Sequence, residues 1–373
     1  MQICFDSGNR EEKNGFRFWS VCKAWNSIIS SDPKFAILQL KNSSTVRTCV
    51  DRQRVMLWHG LDCSSAFFLE KKNNIFSIQN IDTSPIKVNK ASSSSSSYSI
   101  VASCDGLVCV LQQIKNEVAL VSNSIMFWNP LTRETKRVSD PPTFPPLTNW
   151  FNYGLGYNSS TDDYKLVQIN IGFGNNETGL FQPNKVGVFS LRTNSWRQIQ
   201  DFPTTKIYSL QPGVFINGAL HWTCFYKDSP DYHFKVVSFC LEKEKYTLLD
   251  ITAIDFPLRS FFVGIQVLGD KLAVYYPSNE NRSYHLLFNN LYDNSESWTE
   301  HTVTLPYGDL FFPVYLLENG EVLFQVRKGQ FGVYRLRYGT FERLHIRGLP
   351  KTFQALTFSE SLISPNTYKG TKI

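Results

Sequence analysis

Three groups of residues in this chain have the types that perform chemistry. Cys104 and Cys109 frame the word CDGLVC, Asp162 and Asp163 stand side by side in SSTDDYKL, and six histidines occupy positions 59, 221, 233, 285, 301 and 345. Paired thiolates and imidazoles bind zinc, and paired carboxylates share general acid and base work. The spacing speaks against each use. A lone Cys-x4-Cys fits no common zinc pattern. The two aspartates fall where turn chemistry alone explains Ser, Thr and Asp. His221 lies among apolar neighbours in ALHW, the setting of a structural histidine, and the other histidines are spread along the chain. No Gly-rich phosphate loop, His-Glu-x-x-His or Gly-x-Ser-x-Gly occurs. The expectation is a chain with no cofactor, no metal and no catalytic residues of its own.

The elements that would position any site are short and numerous. Aromatics make up 14% of the 373 residues, including 29 Phe and 17 Tyr, and the apolar runs are brief, which favours half-buried strands. One plan recurs. A strand, a tight turn and a second strand appear in ASCDGLVCVL, GVFINGALHWTC, IQVLGDKLAVYY and VYLLENGEVLFQV. Asp105-Gly106, Asn217-Gly218 and Asn319-Gly320 are two-residue hairpin signals, because Asn, Asp and Gly tolerate the positive φ of a type I′ turn; Gly269-Asp270 is a variant. A later strand pair follows each, in FWNPLTRETKRV, VFSLRTNSWRQI, SFCLEKEKYTLL, LFNNLYDNSESWTEH and VYRLRYGTFERL.

Aligned on Trp128, Phe189, Phe239, Phe288 and Tyr334, these units step by roughly 61, 50, 49 and 46 residues, a propeller-type spacing apart from one long insertion. Seven positions beyond the anchor stand Trp196, Tyr246 and Phe341, with Thr135 in the earliest unit and Trp298 displaced by three extra residues. A strand, turn and returning strand would set the second residue beside the first. With a weaker unit in residues 46–90, about six small sheets arranged radially are expected: a mainly β, kelch-like β-propeller. The segment FQALTFSESLI would close the ring by pairing with the first blade. A pair of β-sandwiches is the alternative architecture.

The insertions map to loops: the serine tract 90–99, the proline-broken SDPPTFPPLTNWF at 139–151 carrying Phe144, Trp150 and Phe151, and residues 172–184. From Arg327 to Lys351 there are seven Lys or Arg and one carboxylate, Glu342. Arg335, Arg337, Arg343, His345 and Arg347 alternate with apolar residues, so each strand would carry its charge on one face. The plain reading of these features is mobile connectors and a solvated strand face; the sharper one is a target-binding surface made by Phe144, Trp150, Phe151, Arg335, Arg337, Arg343 and Arg347.

A net charge of +6 is too mild for a committed nucleic-acid binder of this size. Eight cysteines without a Cys-x-x-Cys pair read as reduced thiols, and no stretch approaches 18 apolar residues. The expectation is therefore no nucleic acid, no membrane, and a place in the cytoplasm or nucleus.

At the N-terminal end, RFWSVCKAWNSIISSDPKFAILQL sets Phe18, Val21, Cys22, Trp25, Ile28 and Ile29 at helical spacing. This stretch closely resembles the end of an F-box, through Arg17, Phe18, Val21, Cys22, Lys23, Trp25, Ile28, Ile29, Ser30, Asp32, Pro33 and Phe35. SCDGLVC, FWNPLTRETK, YGLGYNSSTDDYKLV, VFSLRTNSW, GVFINGALHW and ESLISP resemble, in order, the F-box-associated domain of the large plant F-box family, often labelled kelch-repeat-like. The family's opening Leu-Pro element and first helices are not found in the first fifteen residues, so residues 1–45 read as a short α-helical F-box remnant, truncated at its N-terminal side, and 46–373 as the propeller.

The resemblance implies a substrate-recognition subunit of an SCF-type ubiquitin ligase, its partners a Skp-family adaptor, a cullin and a protein substrate, with Phe18, Val21, Cys22, Trp25 and Ile28 facing the adaptor. Its mechanism is to position a bound target's lysines near a conjugating enzyme. The alternatives are a propeller that binds protein without any ligase and, less favoured, a sugar-processing propeller enzyme, which would need convergent carboxylates in its channel.

Overall fold

The computed structural model describes residues 53–366, apart from 60–65, 73–74, 82–94, 116–119, 139–150, 172–182, 204–210, 229–230, 252–262, 279–282, 290–297, 306–309, 318 and 327–328. The F-box-like stretch, with Phe18, Val21, Cys22, Trp25 and Ile28, lies outside the described residues.

Every regular element among the described residues is a strand. In chain order, blade one takes β1 (Gln53–Trp58), β2 (Ala66–Lys72) and β3 (Ile75–Ile81), and blade two takes β4 (Ser95–Cys104), β5 (Leu107–Lys115), β6 (Leu120–Trp128) and β7 (Thr135–Val138). Blade three holds β8 (Phe151–Asn158), β9 (Asp163–Asn170), β10 (Lys185–Ser190) and β11 (Ser195–Gln198); blade four holds β12 (Val214–Ile216), β13 (Ala219–Asp228), β14 (Asp231–Cys240) and β15 (Lys245–Asp250). Blade five comprises β16 (Gly264–Leu268), β17 (Lys271–Pro277), β18 (Ser283–Asn289) and β19 (Trp298–Thr304), and blade six β20 (Phe312–Leu316), β21 (Glu321–Val326), β22 (Gln330–Arg335) and β23 (Thr340–Leu344). The last strand, β24 (Gln354–Ser359), returns to blade one and pairs antiparallel with β1, Gln53 opposite Ser359 and Trp58 opposite Gln354. Its first sheet thus reads β24-β1-β2-β3, and the inner strands β24, β4, β8, β12, β16 and β20 contact one another in a closed cycle. The structure is a six-bladed β-propeller.

Local sequence accounts for the hairpins. Asp105 and Gly106 have φ of 47° and 82°, and Asn217 and Gly218 have 52° and 74°, the left-handed pair that their types favour. The outer hairpins instead end their four-residue turns on a left-handed residue: Asn194, Glu244 and Gly339 at 54°, 51° and 63°.

The anticipated pairing holds in four units. Phe189 opposes Trp196, Phe239 opposes Tyr246, Tyr334 opposes Phe341, and Trp128 opposes Thr135. In blade five it is corrected: Phe288 opposes Thr299, and Trp298 opposes Asn289. A register shifted by one residue sends a side chain to the other face of its sheet. Phe288 accordingly packs in the seam toward blade six, Trp298 in the seam toward blade four, and His301 lies against Phe288 at 5.8 Å between ring centres.

The serine tract is a second correction. Ser95–Ser99 are not loop but the start of β4, paired with Lys115 back to Leu111. Backbone hydrogen bonds alone suffice there, so polar side chains are no obstacle.

There is no single core. Six apolar clusters fill the six seams between neighbouring blades. Alternate residues of one strand serve two seams: Val108 and Val110 of β5 face blade one, while Cys109 and Leu111 face blade three. Both faces of each sheet are covered only because it has neighbours on both sides.

Candidate functional site

The inner strands surround a central channel of about 450 Å³. Its wall is built mainly of aliphatic and aromatic side chains such as Val214, Phe215, Ile265, Phe312 and Phe353, with the amides of Gln211, Gln266, Gln325 and Gln354. The described lining contains no Asp, Glu, Lys, Arg or His, so the described residues do not assemble there the two facing carboxyl groups of a glycoside-cleaving site.

Three of the four amides tie strands together. Gln354 spans from β24 to β4, its Nε2 donating to the Ile100 carbonyl at 2.6 Å and its Oε1 accepting from the Ile100 N–H at 3.0 Å. The side chain thereby replaces a missing strand partner. Gln211 Oε1 accepts from the Ile265 N–H at 3.2 Å while its Nε2 donates to the Tyr275 hydroxyl, and Gln325 Nε2 donates to the Phe353 carbonyl at 3.1 Å. Backbone pairing between neighbouring inner segments is seen at Gly154 and Gly213, and these amides add side-chain links at other places around the ring.

Polar side chains also clamp the seams farther out. Asn129 is fully buried and donates from Nδ2 to the carbonyls of Ser361 and Ile363 at 2.9 and 2.7 Å, holding the segment that follows β24. Lys165 crosses from blade three to blade four, donating to the Leu241 carbonyl at 3.0 Å and to Glu244 Oε1 at 2.9 Å. Burial pushes the Glu244 pKa upward, but hydrogen bonds from Arg197 and Lys165 outweigh it and hold the carboxyl below its ordinary value.

The residues that opened the sequence reading do not converge. Asp162 accepts from the Tyr157 hydroxyl at 2.5 Å, whereas Asp163 is buried at the start of β9 and accepts from the Arg192 N–H at 2.9 Å. Cys104 and Cys109 lie in the seam between blades two and three, and burial raises both thiol pKa values. His221 is buried in β13; desolvation lowers its pKa to about 4, its Nε2 faces Ser238 Oγ at 3.2 Å, and its Nδ1 has no partner among the described residues.

Of the anticipated binding residues, Phe144 and Trp150 lie outside the described residues. Phe151 is the first residue of β8, half-buried beside Tyr153 and packed on the seam cluster rather than displayed by a loop. Arg335 is engaged by Glu321 at 2.8 Å and Glu342 at 2.5 Å, and these hydrogen bonds raise its pKa. Arg337 lies in the turn after β22, stacked over Tyr338 at 5.6 Å, so the alternation expected of VYRLRY is not on a strand. In RLHIR the exposure alternates, with Arg343, His345 and Arg347 exposed and Leu344 and Ile346 packed toward blade one, but β23 ends at Leu344, so only Arg343 of the three basic residues lies on a strand. The exposed basic ridge thus runs along the outer edge of blade six.

The motif words meet in space. Gly106 of SCDGLVC lies under Ser361 of ESLISP, where a Cβ would come 2.2 Å from Ser361 Oγ, and Asn129 of FWNPLTRETK binds the same segment. Residues 61–349 match the model of the F-box associated beta propeller domain. The chain belongs to that family. As a member, it is 23% identical over 367 residues to an F-box/kelch-repeat protein of Arabidopsis thaliana, covering 94% of this chain and 91% of the relative. A second F-box protein of that plant is 24% identical over 393 residues, covering 93% and 87%. The F-box protein CPR1, also from Arabidopsis thaliana, is 27% identical over 271 residues, 65% of each chain.

Proposed function

We propose that this F-box-associated propeller is the substrate-recognition subunit of an SCF-type E3 ubiquitin ligase, acting in the cytoplasm or nucleus. What carries the reading is its alignment with proteins named as F-box proteins over more than nine-tenths of its length. The fold supports it: six packed seams make a stiff ring, and a stiff ring can hold a bound protein at a set distance from a conjugating enzyme. In this reading chemistry resides in the partners, and residues 17–30 supply the contact with a Skp-family adaptor that links to a cullin. The basic ridge Arg343, His345 and Arg347 is the surface offered to an acidic face of the target.

The test is a pull-down of the 373-residue chain with a Skp-family adaptor, beside a version with a complete F-box grafted before Phe16. Capture by the unmodified chain is expected. Capture only by the grafted version would overturn the ligase reading and leave a propeller that binds protein on its own. Glutamate at 343 and 347 should leave adaptor capture intact and reduce recovery of targets.

A further inference from the structure

The seams and the basic ridge leave the central channel unused. We propose that it is a binding site for an uncharged, largely apolar small molecule. Its volume of about 450 Å³ falls within the range of about 300–1,000 Å³ usual for small-molecule sites. Such sites join an apolar wall to a few polar groups that orient the ligand. Both are present. The wall is aliphatic and aromatic, and the amides of Gln211, Gln325 and Gln354 are spent on fastening strands.

Beyond these amides and the Tyr275 hydroxyl that Gln211 engages, three polar side chains remain. Ser103, Gln266 and Thr357 line the channel from β4, β16 and β24, and none makes a side-chain hydrogen bond among the described residues. They offer two hydroxyls and one amide from three different blades, suited to a carbonyl or hydroxyl on the ligand. The absence of charge in the described lining sets the ligand's class, because an ion entering here would lose hydration with no counter-charge among the described residues to replace it. The site is also preformed: amide staples and packed seams hold its wall, so little ordering is required on binding. A ligand there would touch the inner strands of several blades at once and stiffen the ring at its centre.

The experiment is a fluorescence titration of the full chain with N-phenyl-1-naphthylamine, a neutral apolar dye, and with its sulfonated relative 8-anilinonaphthalene-1-sulfonate. Saturable binding of about one neutral dye per chain is expected, with the sulfonated dye at least about tenfold weaker. Thr357→Trp should fill the channel and Gln266→Lys should place a charge in it, each weakening the neutral dye at least about tenfold. Both positions are half-buried with uncommitted side chains, and circular dichroism identifies the folded variant on which the binding is read. Ile75→Ser, which removes the most exposed large apolar residue among the described residues, should change nothing. Equal binding of the two dyes, unchanged binding in a folded channel variant, or loss of binding in Ile75→Ser would each overturn the proposal. The pull-down with the adaptor is indifferent to this result, so the two readings stand or fall separately.

Discussion

The indole N–H of Trp222 donates to Asn152 Oδ1 at 3.0 Å across the seam between blades three and four. Asn152 in turn donates to the Gln211 carbonyl at 2.9 Å, and Gly213 donates to the Tyr153 carbonyl at 2.7 Å. The ring lies between two glycines: a Cβ at Gly154 would come 2.8 Å from it, and one at Gly213 would come 2.3 Å from it. One side chain therefore fills the seam and, through Asn152, holds the segment that lines the channel.

Trp222→Phe should cost about 2–4 kcal/mol, combining lost packing with the lost hydrogen bond to buried Asn152. Gly213→Ala attacks the same contact from the other side and should cost about 1–3 kcal/mol through overpacking. Urea denaturation of both variants, analysed for midpoint at constant slope, checks the pair. A loss below about 0.5 kcal/mol in both would show that the seam repacks freely.

Asn129→Ala should destabilise the ring at its closure. The variant leaves the buried carbonyls of Ser361 and Ile363 without their donor and removes the Asn129 Oδ1 that accepts from Leu131 N at 2.8 Å. A loss of about 2–4 kcal/mol is expected. Limited proteolysis distinguishes this from general weakening: cleavage should appear first after β24.

Lys165→Met should cost about 0.5–2 kcal/mol, because the Leu241 carbonyl loses one of its two buried donors and keeps Asn158 Nδ2 at 3.0 Å, while Glu244 keeps Arg197. The loss should hold between low and high salt, as the pair is shielded from solvent. Melting curves at two ionic strengths decide it; a loss that vanishes in salt would mark a surface-like pair.

Stability should fall as pH is lowered from about 6.5 to about 4 because of His221. Its folded-state pKa is lowered to about 4 by desolvation, so the unfolded chain takes up a proton in this window and the folded one does not. The stabilisation is fully present above the unfolded pKa and is lost as pH falls, by roughly 3 kcal/mol at most. Asp105 and Asp163, whose pKa values are raised by burial, act in the opposite sense, since the folded chain takes up their protons first. The difference between the native chain and His221→Gln, measured by denaturation from pH 7 to 4, isolates the histidine. Parallel curves for the two would dismiss it.

The ring was legible because each blade restates it locally. Asn217-Gly218 names its own hairpin, and seven residues from Phe239 to Tyr246 is the length of one strand, turn and return. The polar clamps were not legible, because they act between distant positions that no periodicity encodes: Asn129 meets Ser361 and Ile363 over separations of 232 and 234 residues. The glycines of YGLGY and the tryptophan of ALHW were visible as words, yet only the seam shows that one makes room for the other. Trp298 was misplaced for a simpler reason. Three extra residues leave the aromatic in the returning strand but shift it one place, and one place changes the face. A channel was implied by the propeller, but its lining was not legible, because it is ordinary strand sequence, apolar and amide, that comes together only when the inner strands converge.

The pairing of β1 with β24 also bears on how the chain is made. Roughly 300 residues separate the two strands, so at translation rates of about 5–20 residues per second the first blade waits about 15–60 s for its innermost strand. Until then β1 offers a bare edge, the kind that recruits neighbouring nascent chains on a crowded polysome. A ribosome that stops between Leu344 and Gln354 releases five complete sheets and one that cannot be completed. The lock thus ties the first blade to how far synthesis has run: only a chain that reaches β24 can cover the edge of β1.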